Sequence, residues 1–187
     1  MARVESGYLR SSDIAGPRAF ARALGDRFDS VRVGVHDDVE VALGYDWDGS
    51  VEGAPHRTIA QVFTSTVAAG MYGVLDVDDP SFATICRQLQ RAAYLGTLLA
   101  AAALGKDRVA LTLIGGGAFA NPIQVIWDAI VWAVDQVGHA VHRDLTVVVN
   151  GRTLRGLIPP DTLLSALDAR GGALVSFDRS GARIVEG

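Results

Sequence analysis

Cysteine is almost absent from this chain of 187 residues: Cys86 stands alone and can form no internal disulfide. The four histidines, His36, His56, His139 and His142, are scattered, so no Cys/His cluster has zinc spacing and no metal is expected. Lysine is equally scarce. Lys106 is the single lysine among 17 basic residues, the rest being arginine, a bias that reads as genomic base composition rather than function. Positive charge is in deficit, 17 basic against 21 acidic residues for a net charge of −4. Broad coating of nucleic acid or of an anionic membrane by charge alone is thereby excluded, whereas a small anion held by backbone N–H groups is not. No long hydrophobic run occurs. The longest uncharged helical stretch, Ala92 to Leu104, has 13 residues, short of the ~20 that span a bilayer. Met-Ala-Arg-Val-Glu-Ser-Gly lacks the apolar region of a signal peptide, so a cytoplasmic location is expected. There are no internal repeats and no low-complexity linkers. What is present, 49% apolar and 20% charged residues, suits one domain over 1–187 with a core that needs no staples.

The organisation changes near residue 58. Before it the chain is charged and glycine-punctuated; after it, apolar runs alternate with helical stretches. Pro17 to Phe28 predicts a short helix. Val31–Val35 and Val39–Leu43 alternate with period two and predict two strands around the turn His36-Asp37-Asp38. Ile59 to Val67 predicts a central strand. Pro80 opens a long helix to about Leu104, with Asp79 as N-cap and Gly105 as C-cap. Val109 to Ile114 and Asp144 to Val149 predict buried strands of a parallel sheet. Pro122 to Val137 predicts an apolar helix ended by Gly138. Its Gln124, Asp128 and Asp135 share one stripe, at roughly 0°, 40° and 20° on the helical wheel. Asp161 caps a last helix to Arg170, and a hairpin follows around Asp178-Arg-Ser-Gly181. Strand, helix, strand, helix, strand is the order of an α/β layered domain, in which ligands sit beyond the carboxyl ends of the strands.

The chemistry signal is Ile114-Gly-Gly-Gly-Ala-Phe-Ala-Asn-Pro122 between a strand and a helix. Three successive glycines let the backbone curl and approach a ligand closely. With the N–H groups of the following helix they form an anion site suited to a diphosphate. Phe119 is placed to wall off a ribose or base, or to pack into the core. Walker A does not fit, since no Gly-Lys-Ser/Thr follows. The dinucleotide pattern G-x-G-x-x-G would put Ala120 in its final slot and lacks the early strand and the acid about 20 residues on.

The segment Val109-Ala-Leu-Thr-Leu-Ile-Gly-Gly-Gly-Ala-Phe-Ala-Asn-Pro122 resembles the phosphate loop of the macrodomain family, which binds ADP-ribose. Gly115, Gly117, Phe119, Ala120 and Pro122 fill its slots. The chain is also similar to a divergent bacterial macrodomain-like group with the loop Leu-Thr-Leu-Ile-Gly-Gly-Gly-x-Phe-Gly-Asn-Pro and a Gln-Val-Phe-x-Ser segment, here Gln61-Val-Phe-Thr-Ser65. The resemblance covers about residues 58–150 and leaves 1–57 as a divergent N-terminal part. It implies a three-layer α/β/α sandwich with a mostly parallel central sheet, and a ligand that is ADP-ribose or a related adenosine diphosphate. By position it implies ligand contacts from Thr64, Ser65, Thr66 and Gly70, from Gly115, Gly116, Gly117, Ala118, Phe119, Ala120 and Asn121, and from Asn150. No cofactor is implied. The partner is a small ADP-ribose-type molecule or an ADP-ribosylated protein.

Three activities remain open at this point: hydrolysis of an ADP-ribose linkage, non-catalytic sensing or reading of such a ligand, and NAD- or FAD-dependent oxidoreduction. The family's hydrolases commonly carry an Asn-Ala-Ala-Asn loop. Here Thr64-Ser-Thr-Val-Ala-Ala-Gly70 offers hydroxyls and no amide, so no catalytic residue is assigned. Asp48, His56, Asp76 and Asp78 are the acids and the base that a catalytic reading would use. Arg152 and Arg155 follow a rim strand. Trp127 and Trp132 mark a packed core or a homodimer face. Cys86 is expected to be buried and inert.

Overall fold

In the computed structural model, residues 9, 14–41, 57–68, 79–141, 144–151, 154–178 and 181–185 are described. Local signals set most of the element boundaries. Gly16, at φ 78°, turns the chain into α1 (Pro17–Asp26), whose first turn accepts Pro17 because no N–H is needed there. A 3₁₀ turn follows at Phe28–Ser30. Strand β1 (Gly34–Val41) then pairs antiparallel with β2 (Arg57–Phe63).

Two helices form the centre. In α2 (Pro80–Ala103), the Asp79 carboxylate accepts the Ser81 N–H at 2.8 Å and caps the first turn, and Gly105, at φ 70°, closes the last. Strand β3 (Arg108–Leu111) leads through the glycine loop into α3 (Ile123–Ala140), which returns to β4 (Thr146–Val149). β3 and β4 run parallel, in register from Arg108↔Thr146 to Leu111↔Val149. A short α4 (Leu154–Leu157), then α5 (Pro160–Asp168), precede the antiparallel hairpin of β5 (Leu174–Asp178) and β6 (Gly181–Val185).

The main core lies between α2, α3 and the inner face of β3. Tyr94, Leu98, Ile126 and Ile130 are buried there with Val109 and Leu111, while Ala129 and Ala133 let the helices approach closely. Each large apolar side chain so buried contributes about 1.5–3 kcal/mol. A second cluster joins α1 to α2 through Ala21, Phe82, Ile85 and Cys86, and a third joins Trp127 of α3 to Leu154, Ile158 and Leu163. Trp132 packs edge-on to Phe28 at 5.8 Å and lies beneath the Arg91 guanidinium at 4.8 Å, which fastens the 3₁₀ turn to both central helices. Asp135 receives two hydrogen bonds from Arg170, at 2.6 and 2.8 Å, so α3 is also tied to the end of α5.

The structure corrects the expected three-layer sandwich. There is no large parallel central sheet among the described residues; there are three separate two-stranded sheets, of which only β3–β4 is parallel. Continuous hydrophobicity in a strand predicts cover on both faces, but here it serves one covered face. Among the described residues, helices cover the inner face of β3–β4 alone. On the outer face Val148 is 51% exposed, and Ile59 of β2 is 46% exposed.

Local corrections have local causes. His36-Asp37-Asp38 is not a turn between two strands but a bulge within β1, where the register shifts between His36 and Val39 and Asp38 takes up φ 55°. The strand expected over Ile59–Val67 ends at Phe63. Helix α3 passes through Gly138 to Ala140, and Asp161 lies in the first turn of α5 without capping it.

Candidate functional site

The glycine loop occupies the carboxyl end of β3, where the topology of a β–α–β unit places ligand sites. Its entrance is fixed by Tyr94 of α2. The phenol donates to the Thr112 carbonyl at 2.8 Å and accepts the Ile114 N–H at 3.1 Å. Burial pushes the phenol up to about 12, so it remains a proton donor at any physiological pH.

The loop then folds on itself. Gly116 N–H donates to Leu113 O at 3.1 Å, Ala120 N–H to Gly117 O at 2.9 Å, and Asn121 N–H to Gly115 O at 2.9 Å. The N–H groups of Gly115, Gly117 and Ala118 bond to no described residue. Helix α3 begins directly after, with Pro122 as its N-cap residue and no side-chain cap. Its first-turn N–H groups therefore lack intrahelical partners and add a positive dipole end beside the loop.

The three glycines have different duties. Gly115, at φ 76°, is pressed against the segment after β2: a Cβ there would stand 2.6 Å from Thr66 Cγ2 and 2.9 Å from Asn121 Nδ2. A Cβ on Gly116 would stand 2.7 Å from Ile123 Cδ1. Gly117 has nothing within 4 Å of such an atom and is the exposed apex. Two glycines thus serve packing, and the third leaves open backbone facing outward.

A buried polar cluster supports the loop from beneath. Thr66 and Asn121, 3% and 2% exposed, meet with the Thr66 hydroxyl donating to Asn121 Oδ1 at 2.8 Å. Asn121 Nδ2 donates to Val67 O at 2.9 Å and to Phe119 O at 3.2 Å. Gln90 of α2 inserts its Nε2 between Ile114 O, at 2.7 Å, and Asn121 Oδ1, at 3.3 Å. Its Oε1 is buried with no partner among the described residues.

Of the expected contact residues, the structure brings Thr66, Gly115 and Asn121 together as this support, with Gly117 and Ala118 at the exposed apex and Phe119 half-buried beside them. Thr64 is half-buried and Ser65 exposed on the approach to Thr66. Ala120 is exposed, at φ 52°. Asn150 is joined to the end of β3 by its N–H, which donates to Leu111 O at 3.0 Å. Gly70, Asp48, His56, Asp76, Asp78 and Arg152 lie outside the described residues. Cys86 is fully buried, and burial pushes its thiol up to about 12, far from the range of a nucleophilic thiolate.

Sequence reasoning missed Gln90 and Tyr94. The signal was available: Phe82, Cys86, Gln90 and Tyr94 follow at four-residue intervals on one face of α2, so a long amide and a phenol sit in an otherwise apolar stripe. Among the described residues no group of three or more His, Cys, Asp or Glu side chains is placed to hold a metal ion, and no helix is long and apolar enough to cross a membrane. No family model, no curated protein and no solved structure matches the chain.

Proposed function

We propose that the loop from Gly115 to Asn121 binds the diphosphate of ADP-ribose or a related adenosine diphosphate ligand. The observation that carries this reading is the division of labour within the triple glycine. Gly115 and Gly116 are packed against Thr66, Asn121 and Ile123, while Gly117 presents open backbone, and its N–H and that of Ala118 bond to no described residue. A turn alone needs no third glycine at an unobstructed, exposed position, and a glycine there costs backbone entropy. Neighbouring N–H groups beside a helix N-terminus form a concave anion site that stabilises phosphate oxygens without a net positive charge.

Reading or sensing is favoured over hydrolysis by a specific arrangement. The Thr66 hydroxyl and the Asn121 amide are buried beneath the loop, the hydroxyl donating to Asn121 Oδ1 and the amide N–H groups donating to the Val67 and Phe119 carbonyls. They hold the loop's shape and have no free donor for orienting a distal ribose.

A thermal-shift panel of ADP-ribose, AMP, NAD, ATP and FAD tests the reading. A ligand at 100 times its dissociation constant adds about 2.7 kcal/mol, which raises the melting temperature of a chain this size by about 5–10 °C. ADP-ribose should protect more than AMP, because the loop grips two phosphates. Equal shifts for all five ligands, or none, would remove the diphosphate reading. A coloured or tightly held flavin or reduced nicotinamide would instead support oxidoreductase chemistry.

A further inference from the structure

Two of the loop's N–H groups, those of Gly115 and Ala118, are aimed by the carbonyl that shares their peptide unit. No described peptide bond is cis, so each C=O points opposite to the N–H in its plane. Gly117 O accepts the Ala120 N–H at 2.9 Å, which turns the Ala118 N–H away from the loop's own bend. That unit is set within the loop. The Ile114–Gly115 unit is set by a different element. Ile114 O accepts Gln90 Nε2 of α2 at 2.7 Å, so the Gly115 N–H points away from Gln90. No described backbone N–H bonds Ile114 O.

The polarity of the Gln90 amide is itself dictated. Asn121 directs Nδ2 to Val67 O and Phe119 O, which leaves its Oδ1 for Thr66 and Gln90. Gln90 thus meets two acceptors, Asn121 Oδ1 and Ile114 O, and only its donor end satisfies both. Its Oε1 is left buried with no partner among the described residues. A buried acceptor without a partner is destabilising, and an apolar side chain of similar length would avoid it. What the glutamine supplies instead is the donor that holds Ile114 O. Glycine at 115 makes this hold matter. Turning a peptide unit over reverses φ of the residue that follows, and glycine accepts either sign. Unheld, the unit can present its carbonyl outward, where the oxygen would repel an anion.

We propose that Gln90 is a positioning residue for the anion site: it holds the Ile114 carbonyl inward and so presents the Gly115 N–H to a phosphate oxygen. The ligand rests on the diphosphate reading; the orientation of the peptide does not.

The test uses the full chain, ADP-ribose as the probe and two variants. Gln90→Met keeps the length and cannot donate. Its affinity should fall about tenfold or more, the effect of losing one hydrogen bond to a charged group, while circular dichroism stays native. Gln90→Glu can donate to Ile114 O when its carboxyl is protonated and repels it when ionised. Burial raises such a carboxyl above the usual ~4.3. Between about pH 6 and about pH 9 its affinity should therefore fall about tenfold or more, while wild type stays flat. Cys86 and Tyr94, the titratable groups one turn away on the same face of α2, are pushed up to about 12. The loop and residues 64–68 carry no titratable group. A glutamine that merely packs would give no such profile. The carbon-detected NMR signal of the Ile114 carbonyl reads the same bond without a ligand. It should shift with pH in Gln90→Glu and stay fixed in wild type. If wild type does not bind ADP-ribose, the diphosphate reading falls and this signal alone decides the role of Gln90. An Ile114 signal that ignores the introduced carboxyl, wild-type affinity in Gln90→Met, or a Gln90→Glu profile parallel to wild type would overturn the proposal.

Discussion

The Thr66 hydroxyl and the Asn121 side-chain carbonyl, 55 positions apart, share a 2.8 Å hydrogen bond in a fully enclosed setting, and this bond joins the end of the β2 segment to the exit of the glycine loop. The loop's shape therefore depends on a long-range contact as well as on its glycines. Asn121 does more than Thr66, because its amide also satisfies Val67 O and Phe119 O.

Asn121→Ala should be the more damaging of two substitutions in this pair. It strands the Thr66 hydroxyl and the Val67 carbonyl in a buried site, at about 1–3 kcal/mol for each unsatisfied group. Thr66→Val removes one donor while Gln90 still bonds Asn121, so a loss of about 1–2 kcal/mol is expected. Urea unfolding of both single variants and the double variant checks this. The two effects should fall short of additivity; full additivity would mean that the pair does not act as a unit.

Gly115→Ala and Gly117→Ala should separate sharply. The first places a methyl group 2.6 Å from Thr66 Cγ2 at φ 76°. Overpacking of about 1–3 kcal/mol adds to a left-handed backbone cost of about 1–2 kcal/mol. The second meets open space and should change stability by less than about 0.5 kcal/mol. Thermal melts of equal midpoint for the two variants would contradict this assignment of roles.

Ala120 sits at φ 52°, where a Cβ is strained. Ala120→Gly should relieve that strain and recover about 0.5 kcal/mol, since the greater freedom of glycine in the unfolded chain offsets part of the gain. A lower midpoint for the glycine variant would show that the exposed methyl group is supported by a contact.

Asp79 gives a pH dependence of definite sign. Hydrogen bonds from Ser81 hold its carboxyl below the usual 3.8. A carboxyl depressed in the folded state stabilises the fold above its unfolded pKa and loses that contribution as pH falls through the folded value. Wild type should therefore exceed Asp79→Ala in denaturant midpoint at neutral pH, and the gap should close only in acid below 3.8. A gap that persists unchanged through that range would mean that the charged cap is not its source.

The legible parts of the fold were those specified by short-range chemistry. Asp79, Pro80 and Gly105 mark the ends of α2, and Pro122 marks the start of α3, because caps and proline act within one turn. The sheet arrangement was not legible, because strand pairing depends on which edges meet, and Ile59 or Val148 reads the same whether covered or exposed. The β1 bulge was hidden for a related reason: Asp37-Asp38 has turn composition, yet pairing with β2 carries the strand past it. At the site, the loop itself was visible as three glycines before a proline. Its support was not, since Gln90 and Thr66 acquire their role only when α2 and the β2 exit pack beneath Asn121.

The most direct test of the proposed diphosphate site is calorimetric titration of ADP-ribose into wild type and Gly117→Glu. Gly117 is the position to change, because a side chain at Gly116 would collide with Ile123 whereas one at Gly117 enters open space. The new carboxylate would occupy the proposed phosphate position and repel an anion there. One-site binding to wild type is expected, and no binding to a Gly117→Glu variant whose circular dichroism and melting temperature remain native. Undiminished binding by that variant, or no binding by wild type, would contradict it.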